Sequence, residues 1–396
     1  MPRQPRPGLV ALVCAIEFVD LSLLSAISPL LPVYAERFGF ETAESGLIVA
    51  AFGVGNLVAA LPAAILCGKL GAKPVAIAGL ALTAAGCVWL GFADSTFELV
   101  GARFVQGAAS AIAWGAGLAW LVGETPSGRR GRILGITGAC AVIGMLAGPA
   151  LGALAAELGI ARVFVAYSAA AATLAFLALF QPGTAASGQS WRVLLTAVRR
   201  PELIFGFWII FLAGAFLAAQ GAIGPLRLDA LGWSATGIGA VYMVSAALEA
   251  TGNPFLGHWL DRAGQARPTG VILAIATVAA AALAVPSLER YWPYAILIAL
   301  SSAAFGFCFL PGLMSLSRGA EAADLDYAYG VSLASVSWGP GQVVGSLVAG
   351  TVAVAAGDAA AFGLLAAITF ATLLVLPRLL PSTGSASTVS AGRPGR

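Results

Sequence analysis

The chain alternates between long apolar stretches and short polar interruptions. A helix that crosses a bilayer needs about 20 mostly apolar residues, and twelve stretches of about that length follow one another. They run over residues 9–33, 44–66, 74–93, 97–122, 132–156, 162–180, 203–226, 235–257, 269–286, 292–316, 327–355 and 359–380. The pattern predicts an all-α membrane protein with twelve transmembrane helices.

One polar interruption is longer than the others and divides the chain into two halves. Residues 181–202 follow the sixth apolar stretch. We therefore expect an N-terminal six-helix bundle over 1–180, a linker over 181–202 and a C-terminal six-helix bundle over 203–381. The Ser- and Gly-rich tail, residues 382–396, is expected to be disordered.

Short sequence matches relate the two halves. SAISPL (25–30) ends the first apolar stretch and GAIGPL (221–226) ends the seventh, while LCGKLGAKP (66–74) after the second matches WLDRAGQARP (259–268) after the eighth. The spacing between matched positions stays between 193 and 196 residues. This predicts two pseudo-symmetric bundles with a binding site between them, near the middle of the membrane.

The positive charges predict the orientation. Loops rich in Lys and Arg stay in the cytoplasm, and with a cytoplasmic N-terminus all but five of the 21 Lys and Arg residues fall in cytoplasmic loops and tails. The exceptions are Arg37, Arg162, Arg227 and Arg290 in outer loops and Arg103 inside a helix. We expect a multi-pass protein of the cell (inner or plasma) membrane with both termini and the linker in the cytoplasm.

Composition excludes several classes of protein. Hydrophobic residues make up 59% of the 396 and charged residues only 10%, whereas a soluble domain carries about 25% charged residues. The net charge of +3 is too small to indicate nucleic acid binding. The five cysteines have no paired spacing, so they are interpreted as packing thiols, with no metal site, disulfide or cofactor. The first apolar run is too long for a cleaved signal peptide.

Two carboxylates interrupt the first apolar stretch. Glu17 and Asp20 are spaced i, i+3 and so share a helix face. Two close carboxylates in an apolar cavity resist simultaneous ionisation and bind a proton more readily, and they titrate as a coupled pair. We expect a proton-binding site here, shared with a cationic substrate or with Arg103. The alternatives are that Asp20 is a structural salt-bridge partner and that Glu17 lies near the cytoplasmic headgroups.

Two further charges lie at membrane depth. A lone arginine in a helix costs about 2.5–3.5 kcal/mol on insertion scales, so Arg103 is expected to face the interior and find an acidic partner; the alternative is that it snorkels to the outer headgroups. Glu249 in the eighth stretch aligns with Asn56 of the first half. It is expected to carry a proton, bind a cation or belong to the inner gate.

Several motifs resemble those of the major facilitator superfamily, in the expected order along nearly the whole chain. GHWLDRAG (257–264) resembles its loop motif, RFVQG (103–107) its fourth-helix motif, in which the arginine is linked to proton movement, and VDLSLLSAISP (19–29) the first-helix motif of its drug/proton antiporters. The resemblance implies a transporter of twelve helices, of the antiporter branch.

The resemblance also implies gate residues. They are Gly257, Asp261, Arg262 and Gly264 in the second half, Gly71 and Lys73 in its weaker first-half copy, and Gly144, Gly148, Pro149 and Gly152 in GITGACAVIGMLAGPALGA (135–153). The first copy departs from the family pattern because Gly68 stands where an aspartate is expected. In 135–153 the glycines permit close helix contact and the proline permits a bend. An ordinary charged loop and plain small-residue packing are the alternatives.

The candidates for lining a substrate cavity are polar or aromatic. They are Gln106, Trp114, Phe216, Gln220, Tyr242, Phe305 and Trp338, although most aromatic residues in such a chain face lipid or neighbouring helices. Because these candidates are more aromatic than polar, they favour lipophilic cargo.

The leading functional hypothesis is a monomeric, proton-coupled antiporter that exports small lipophilic or cationic compounds by alternating access. A facilitator-type exporter of sugars, amino acids or other metabolites is the alternative within transport. A membrane enzyme is disfavoured because the single histidine lies in no catalytic arrangement, and a receptor because no soluble signalling domain is present.

Overall fold

The computed structural model describes residues 7–126, 130–183, 186, 192–285, 290–325 and 327–379. Across these residues twelve long helical segments follow the twelve apolar stretches in order, and a short helix, Arg192–Ala197, lies in the linker. The segments are α1 (Pro7–Phe38), α2 (Thr42–Leu70), α3 (Ala72–Phe92), α4 (Thr96–Gly123), α5 (Arg130–Leu158), α6 (Ile160–Leu179), α7 (Pro201–Ala230), α8 (Ala235–Ala263), α9 (Ala266–Leu283), α10 (Tyr291–Ala322), α11 (Tyr327–Ala356) and α12 (Asp358–Leu379). The predicted tail, 382–396, lies outside the described residues.

Eleven of these segments are long and apolar enough to cross a membrane. The twelfth, α8, has 29 residues and is therefore long enough, but it is less apolar. Its second half carries Glu249, Asn253, Asp261 and Arg262. The sequence prediction of twelve helices is thus confirmed, with one of them markedly more polar than the rest.

Two of the segments are interrupted. In α1, helix Pro7–Ser25 passes through a 3-10 turn, Ser28–Leu30, into helix Leu31–Phe38. The two prolines of this region lack an N–H to donate, which accounts for the break. In α10, helix Tyr291–Gly306 is separated from helix Phe309–Ala322 at Phe307 and Cys308.

The backbone confirms the internal duplication. The glycines with positive φ form three pairs at equivalent connections of the two halves: Gly39 with Gly232, Gly71 with Gly264, and Gly159 with Gly357. The first two pairs are 193 positions apart, the spacing read from the sequence. A positive φ is easy for glycine and costly for other residues, so the two halves make the same sharp turns at the same places.

Hydrogen bonds define the two faces of the molecule. The terminal face carries the start of α1 and the end of α12; there Lys73 Nζ, at the start of α3, donates to the carbonyl of Leu179 at the end of α6 (2.8 Å). At the opposite face Ser45 Oγ of α2 donates to Ala222 O of α7 (2.7 Å), and Thr236 Oγ1 of α8 bonds Glu157 Oε1 of α5. The last two bonds join the two halves.

Small residues bring the halves into close contact along two lines. Where α2 meets α11, a Cβ built on Gly46 would lie 2.6 Å from Ser346 O, and one built on Gly53 would lie 2.8 Å from Gln342 Cβ. Where α5 meets α8, a Cβ on Gly239 would lie 2.8 Å from the carbonyl of Pro149. The interface between the halves is therefore built on backbone contact, as expected where helices lack a hydrophobic driving force to associate.

Candidate functional site

The α1 carboxylates are buried inside the protein. Asp20 is 8% exposed and Glu17 is 1% exposed. The Ser110 hydroxyl of α4 donates a hydrogen bond of 2.9 Å to Asp20 Oδ2. Glu17 Oε1 has no hydrogen-bond partner, and the two carboxyl groups are close enough to repel each other when both are charged.

Side chains from three other helices surround Glu17. The Trp114 indole of α4 and the Cys140 thiol of α5 are both near enough to interact with its carboxyl group. Tyr327, at the start of α11, interacts electrostatically with Glu17 from the other half of the molecule. We call Glu17, Asp20, Ser110, Trp114 and Tyr327 the carboxylate site.

No cation neutralises this site in the part of the chain that the structure describes. The ion pair that the described residues do form lies elsewhere: it joins Arg227 to Asp358 (3.9 Å), at the face opposite the termini. Burying a charged carboxylate without a partner is very unfavourable, so such a group takes up a proton or pairs with a cation. The two buried carboxyl groups therefore require a proton or a cation.

Arg103 lies on the same face of α4 as Ser110, seven residues or about 10 Å along the helix. It is 1% exposed, which disfavours snorkelling to the headgroups. Its Nη1 donates to Gln106 Oε1 (2.9 Å), its guanidinium lies 4.6 Å from the centre of the Phe52 ring, and its Nε has no partner.

The expected acidic partner of Arg103 is therefore not found among the described residues. An aromatic face and an amide stabilise the guanidinium instead. Gln106, proposed from the sequence as a cavity residue, is 4% exposed and packs inside the N-terminal bundle, where a Cβ on Gly86 of α3 would lie 3.2 Å from its Cγ.

Glu249 lies at the break in α10. Its carboxylate covers Gly306 so closely that a Cβ there would overlap it, and it interacts with Asn253 one turn further along α8. The nearby thiol is that of Cys308. The structure thus places Glu249 within the C-terminal bundle, apart from the carboxylate site.

Four of the proposed cavity residues form a buried unit in the C-terminal bundle. Phe216 and Phe305 stack with their ring centres 3.6 Å apart and are 0% and 1% exposed. Gln220 Nε2 donates to Ile298 O (2.9 Å) and to Ser301 Oγ (2.8 Å), and its Oε1 accepts from Ser302. The Tyr242 hydroxyl donates to Gln220 O (3.2 Å). The Gln220 side chain therefore ties α7 to α10 in this conformation.

The two tryptophans lie between the halves. Trp114 of α4 packs against a cluster that contains Leu203, Ile210 and Leu333 of the C-terminal half. Trp338 of α11 packs against the same cluster, and its ring meets Phe309 edge to face at 5.7 Å. Of the aromatic candidates, these two are the ones that the structure brings to the interface.

The proposed gate residues divide into two groups. Asp261 and Arg262 are exposed at the end of α8, and neither forms an ion pair within the described residues. Gly71 and Gly264 form the matched turns with φ of 84° and 72°, while Gly257 lies close to Leu310 of α10. Lys73 holds the end of α6 through the carbonyls of Leu179 and Gln181.

The glycines of α5 face α1. A Cβ built on Gly144 would lie 2.5 Å from Phe18 O. Those built on Gly148 and Gly152 would overlap the Ser22 and Ala26 carbonyls. We call these three glycines and the α1 residues that they touch the glycine seam. The carbonyl of Pro149 points to the opposite side of α5, towards Gly239 of α8. One side of α5 thus contacts α1, and its opposite side contacts the C-terminal half.

Sequence reasoning missed the residues that complete the carboxylate site. Ser110 stands 90 positions from Asp20, and Tyr327 belongs to the other half of the chain. One signal was available: Arg103, Ser110 and Trp114 are spaced i, i+7, i+11 and so share a face of α4. A polar stripe on a transmembrane helix indicates a face turned away from lipid.

These features define a class: an all-α, multi-span membrane protein of two duplicated bundles, with buried carboxylates beside the interface between the bundles. The model of the Major Facilitator Superfamily matches residues 13–330 and 229–395. The chain belongs to this superfamily.

The relatives of the chain are distant in sequence. The chain is 31% identical over 154 residues to the MFS-type transporter ppzB of Metarhizium majus, covering 37% of this chain and 34% of the relative. It is 23% identical over 141 residues to an uncharacterized MFS-type transporter of Methanocaldococcus jannaschii, covering 36% of each. The matches thus span about a third of the length of these relatives.

Solved structures show the same fold. The nucleoside transporter NupG superposes with a TM-score of 0.71 at 18% identity, covering 94% of this chain and 98% of NupG. A point mutant of NupG gives a TM-score of 0.73 at 17% identity, covering 94% of this chain and all of the mutant.

Proposed function

We propose that this protein is a secondary active transporter that exchanges protons for small lipophilic or cationic compounds at the carboxylate site. The observation that carries the proposal is the burial of Glu17 and Asp20 with no neutralising cation among the described residues. A site with two buried carboxyl groups binds either protons or a positively charged group. Competition between protons and a positively charged substrate is the requirement for antiport.

The parts of the site have distinct roles. Asp20 binds the coupling proton, and Ser110 stabilises its charged form when the proton leaves, because a hydroxyl donor favours the carboxylate. Glu17, with its free oxygen, and Trp114, with its aromatic face, bind the substrate; an aromatic face attracts cations and packs against apolar groups. Tyr327 makes the site sensitive to the position of the second half.

The same geometry supports alternating access. The site lies beside the interface between two duplicated bundles, and bundles of this kind rock against each other around a central site. The bonds of Ser45 to α7 and of Thr236 to Glu157 join the halves at the face opposite the termini. We propose that this face is the outer one and that the protein acts as a monomer in the cell membrane, with cytoplasmic termini.

A second transport function, export of sugars, amino acids or other metabolites, is suggested by the likeness to the nucleoside transporter NupG. That likeness bears on the fold, so it does not choose the cargo. The carboxylate pair favours the proton-coupled function, because a neutral metabolite alone leaves the buried charges unpaired.

The test uses purified protein in liposomes with an imposed pH gradient and a pH-sensitive dye inside. The panel contains lipophilic cations, neutral lipophilic compounds, nucleosides, sugars and amino acids. The wild type is expected to move protons when a lipophilic cation is supplied. Asp20→Asn, which keeps the size and the acceptor for Ser110, is expected to lose this proton movement.

The control is Asp94→Asn, the same chemical change at an exposed position between α3 and α4, which should behave like the wild type. Proton-linked transport against a gradient by Asp20→Asn would refute the assignment. Uptake of a nucleoside that is indifferent to the pH gradient, and unchanged in Asp20→Asn, would establish the second function instead.

A further inference from the structure

Two of the five cysteines form a pair across α1 and α5. The thiols of Cys14 and Cys140 are near enough to interact with each other. Both side chains are half-buried, whereas Cys67, Cys87 and Cys308 are buried, and all five are free thiols. The pair therefore combines mutual contact with access from outside the packed core.

The register of the glycine seam supports this pairing independently. In the seam Gly144 meets Phe18, Gly148 meets Ser22 and Gly152 meets Ala26, and each pair is separated by the same 126 positions. Cys14 and Cys140 have the same separation, and they lie one turn before Phe18 and Gly144. Two helices packed in parallel with a fixed register thus place the two cysteines opposite each other.

The seam also brings the backbones close enough for a covalent link. A Cβ on Gly144 would lie 2.5 Å from Phe18 O and 2.9 Å from Phe18 Cα, so the two helices touch without intervening side chains. A disulfide needs Cα atoms about 4.4–6.8 Å apart, and a close backbone approach one turn away favours such a separation.

The pair adjoins the carboxylate site. Cys14 precedes Glu17 by three residues, and with about 100° per residue it is turned only about 60° from Glu17 around α1. Cys140 interacts electrostatically with Glu17. A bond between the two sulfur atoms would therefore fix α1 to α5 beside the carboxylate that the proposed function assigns to substrate.

We propose that Cys14 and Cys140 form a reversible, peroxide-sensitive dithiol site. A hydroperoxide oxidises one thiol to a sulfenic acid as its O–O bond breaks, releasing one water from hydrogen peroxide. The second thiol attacks the sulfenic sulfur, the S–S bond forms and a second water leaves. The two thiols thus supply the two electrons that reduce the peroxide, and a thiol reductant reverses the reaction by exchange.

The experiment counts free thiols in the full-length purified protein. The protein is treated with hydrogen peroxide, the peroxide is removed with catalase, and the denatured chain is labelled with a maleimide polymer that adds a resolvable mass per thiol. Wild type is expected to show five labels before treatment and two fewer after it, with recovery in dithiothreitol. Proteolysis without reductant should yield two peptides joined by a disulfide bond, one with Cys14 and the other with Cys140.

Cysteine variants test whether the two lost labels belong to Cys14 and Cys140. Cys14→Ser and Cys140→Ser should each lose no label on treatment, while Cys67→Ser, at a buried thiol, should still lose two. The proposal is overturned if wild type keeps all five labels, if the loss is not reversed by reductant, if it persists in Cys14→Ser, or if the product is a linked dimer. The wild-type peptide decides the matter even if a variant folds poorly.

The thiol count needs no transport measurement, so its failure is distinct from failure of the proposed function. An effect on transport rests on that function. If the proposed function holds, oxidised wild type should lose most of its proton-linked transport and regain it in reductant. Transport by Cys140→Ser should be insensitive to peroxide.

Discussion

The substitution Gly144→Ala tests whether α1 and α5 pack as described. The added methyl group would lie 2.5 Å from Phe18 O and 2.9 Å from Phe18 Cα, closer than real carbon contacts allow. Because both atoms belong to the backbone of α1, no side chain can rotate away, and the helices must separate. Overpacking of this kind costs about 1–3 kcal/mol, against which alanine gains about 1 kcal/mol over glycine in helix propensity.

Gly138→Ala provides the matched control on the same helix. Nothing lies within 4 Å of a Cβ built there, so this variant receives the propensity gain without the steric cost. The two variants are therefore expected to change the thermal unfolding midpoint in detergent in opposite directions, with a difference in stability of about 1–3 kcal/mol from the steric cost.

The assay is the temperature at which tryptophan fluorescence or solubility falls by half, measured on both variants and the wild type under identical detergent. If Gly144→Ala is as stable as Gly138→Ala, the α1–α5 contact is wrong, and the argument for the neighbouring cysteine pair falls with it.

Two further predictions concern buried hydrogen bonds. Gln220→Leu should lower the free energy of unfolding by about 2–3 kcal/mol, because it removes three bonds worth about 1 kcal/mol each; a loss of substrate affinity with unchanged stability would instead show that Gln220 contacts the cargo. Ser45→Ala, which removes the bond between the halves at Ala222 O, should cost about 1 kcal/mol and more than Ser337→Ala. Ser337 bonds only its own helix at Leu333 O, so equal losses on thermal unfolding would argue against a link between the halves.

The sequence was most informative where structure depends on local pattern. The predicted stretch 97–122 became Thr96–Gly123 and 327–355 became Tyr327–Ala356, since a spanning helix needs a run of about 20 mostly apolar residues and such a run is visible in the sequence. The match between the loops at 66–74 and 259–268 reappears as similar positive φ values, 84° at Gly71 and 72° at Gly264.

The sequence was least informative about side-chain partners. Gln220 was a reasonable cavity candidate, because a polar residue in an apolar helix must bond something, but the sequence does not say whether that partner is cargo or Ser301. Arg103 was expected to meet an acid and instead lies against Phe52 and Gln106. A buried guanidinium needs electron density nearby, and here an aromatic face and an amide oxygen supply it.

The sequence by itself determined the class, the order of the helices, the duplication and the presence of two acids on one face of α1, because each of these follows from residues close together in the chain. Only the tertiary structure decided that Asp20 meets Ser110, that Tyr327 of the other half approaches Glu17, and that Cys14 lies beside Cys140. These contacts join helices far apart in sequence. They are set by how closely glycine allows two backbones to approach and by the register in which those backbones then pack.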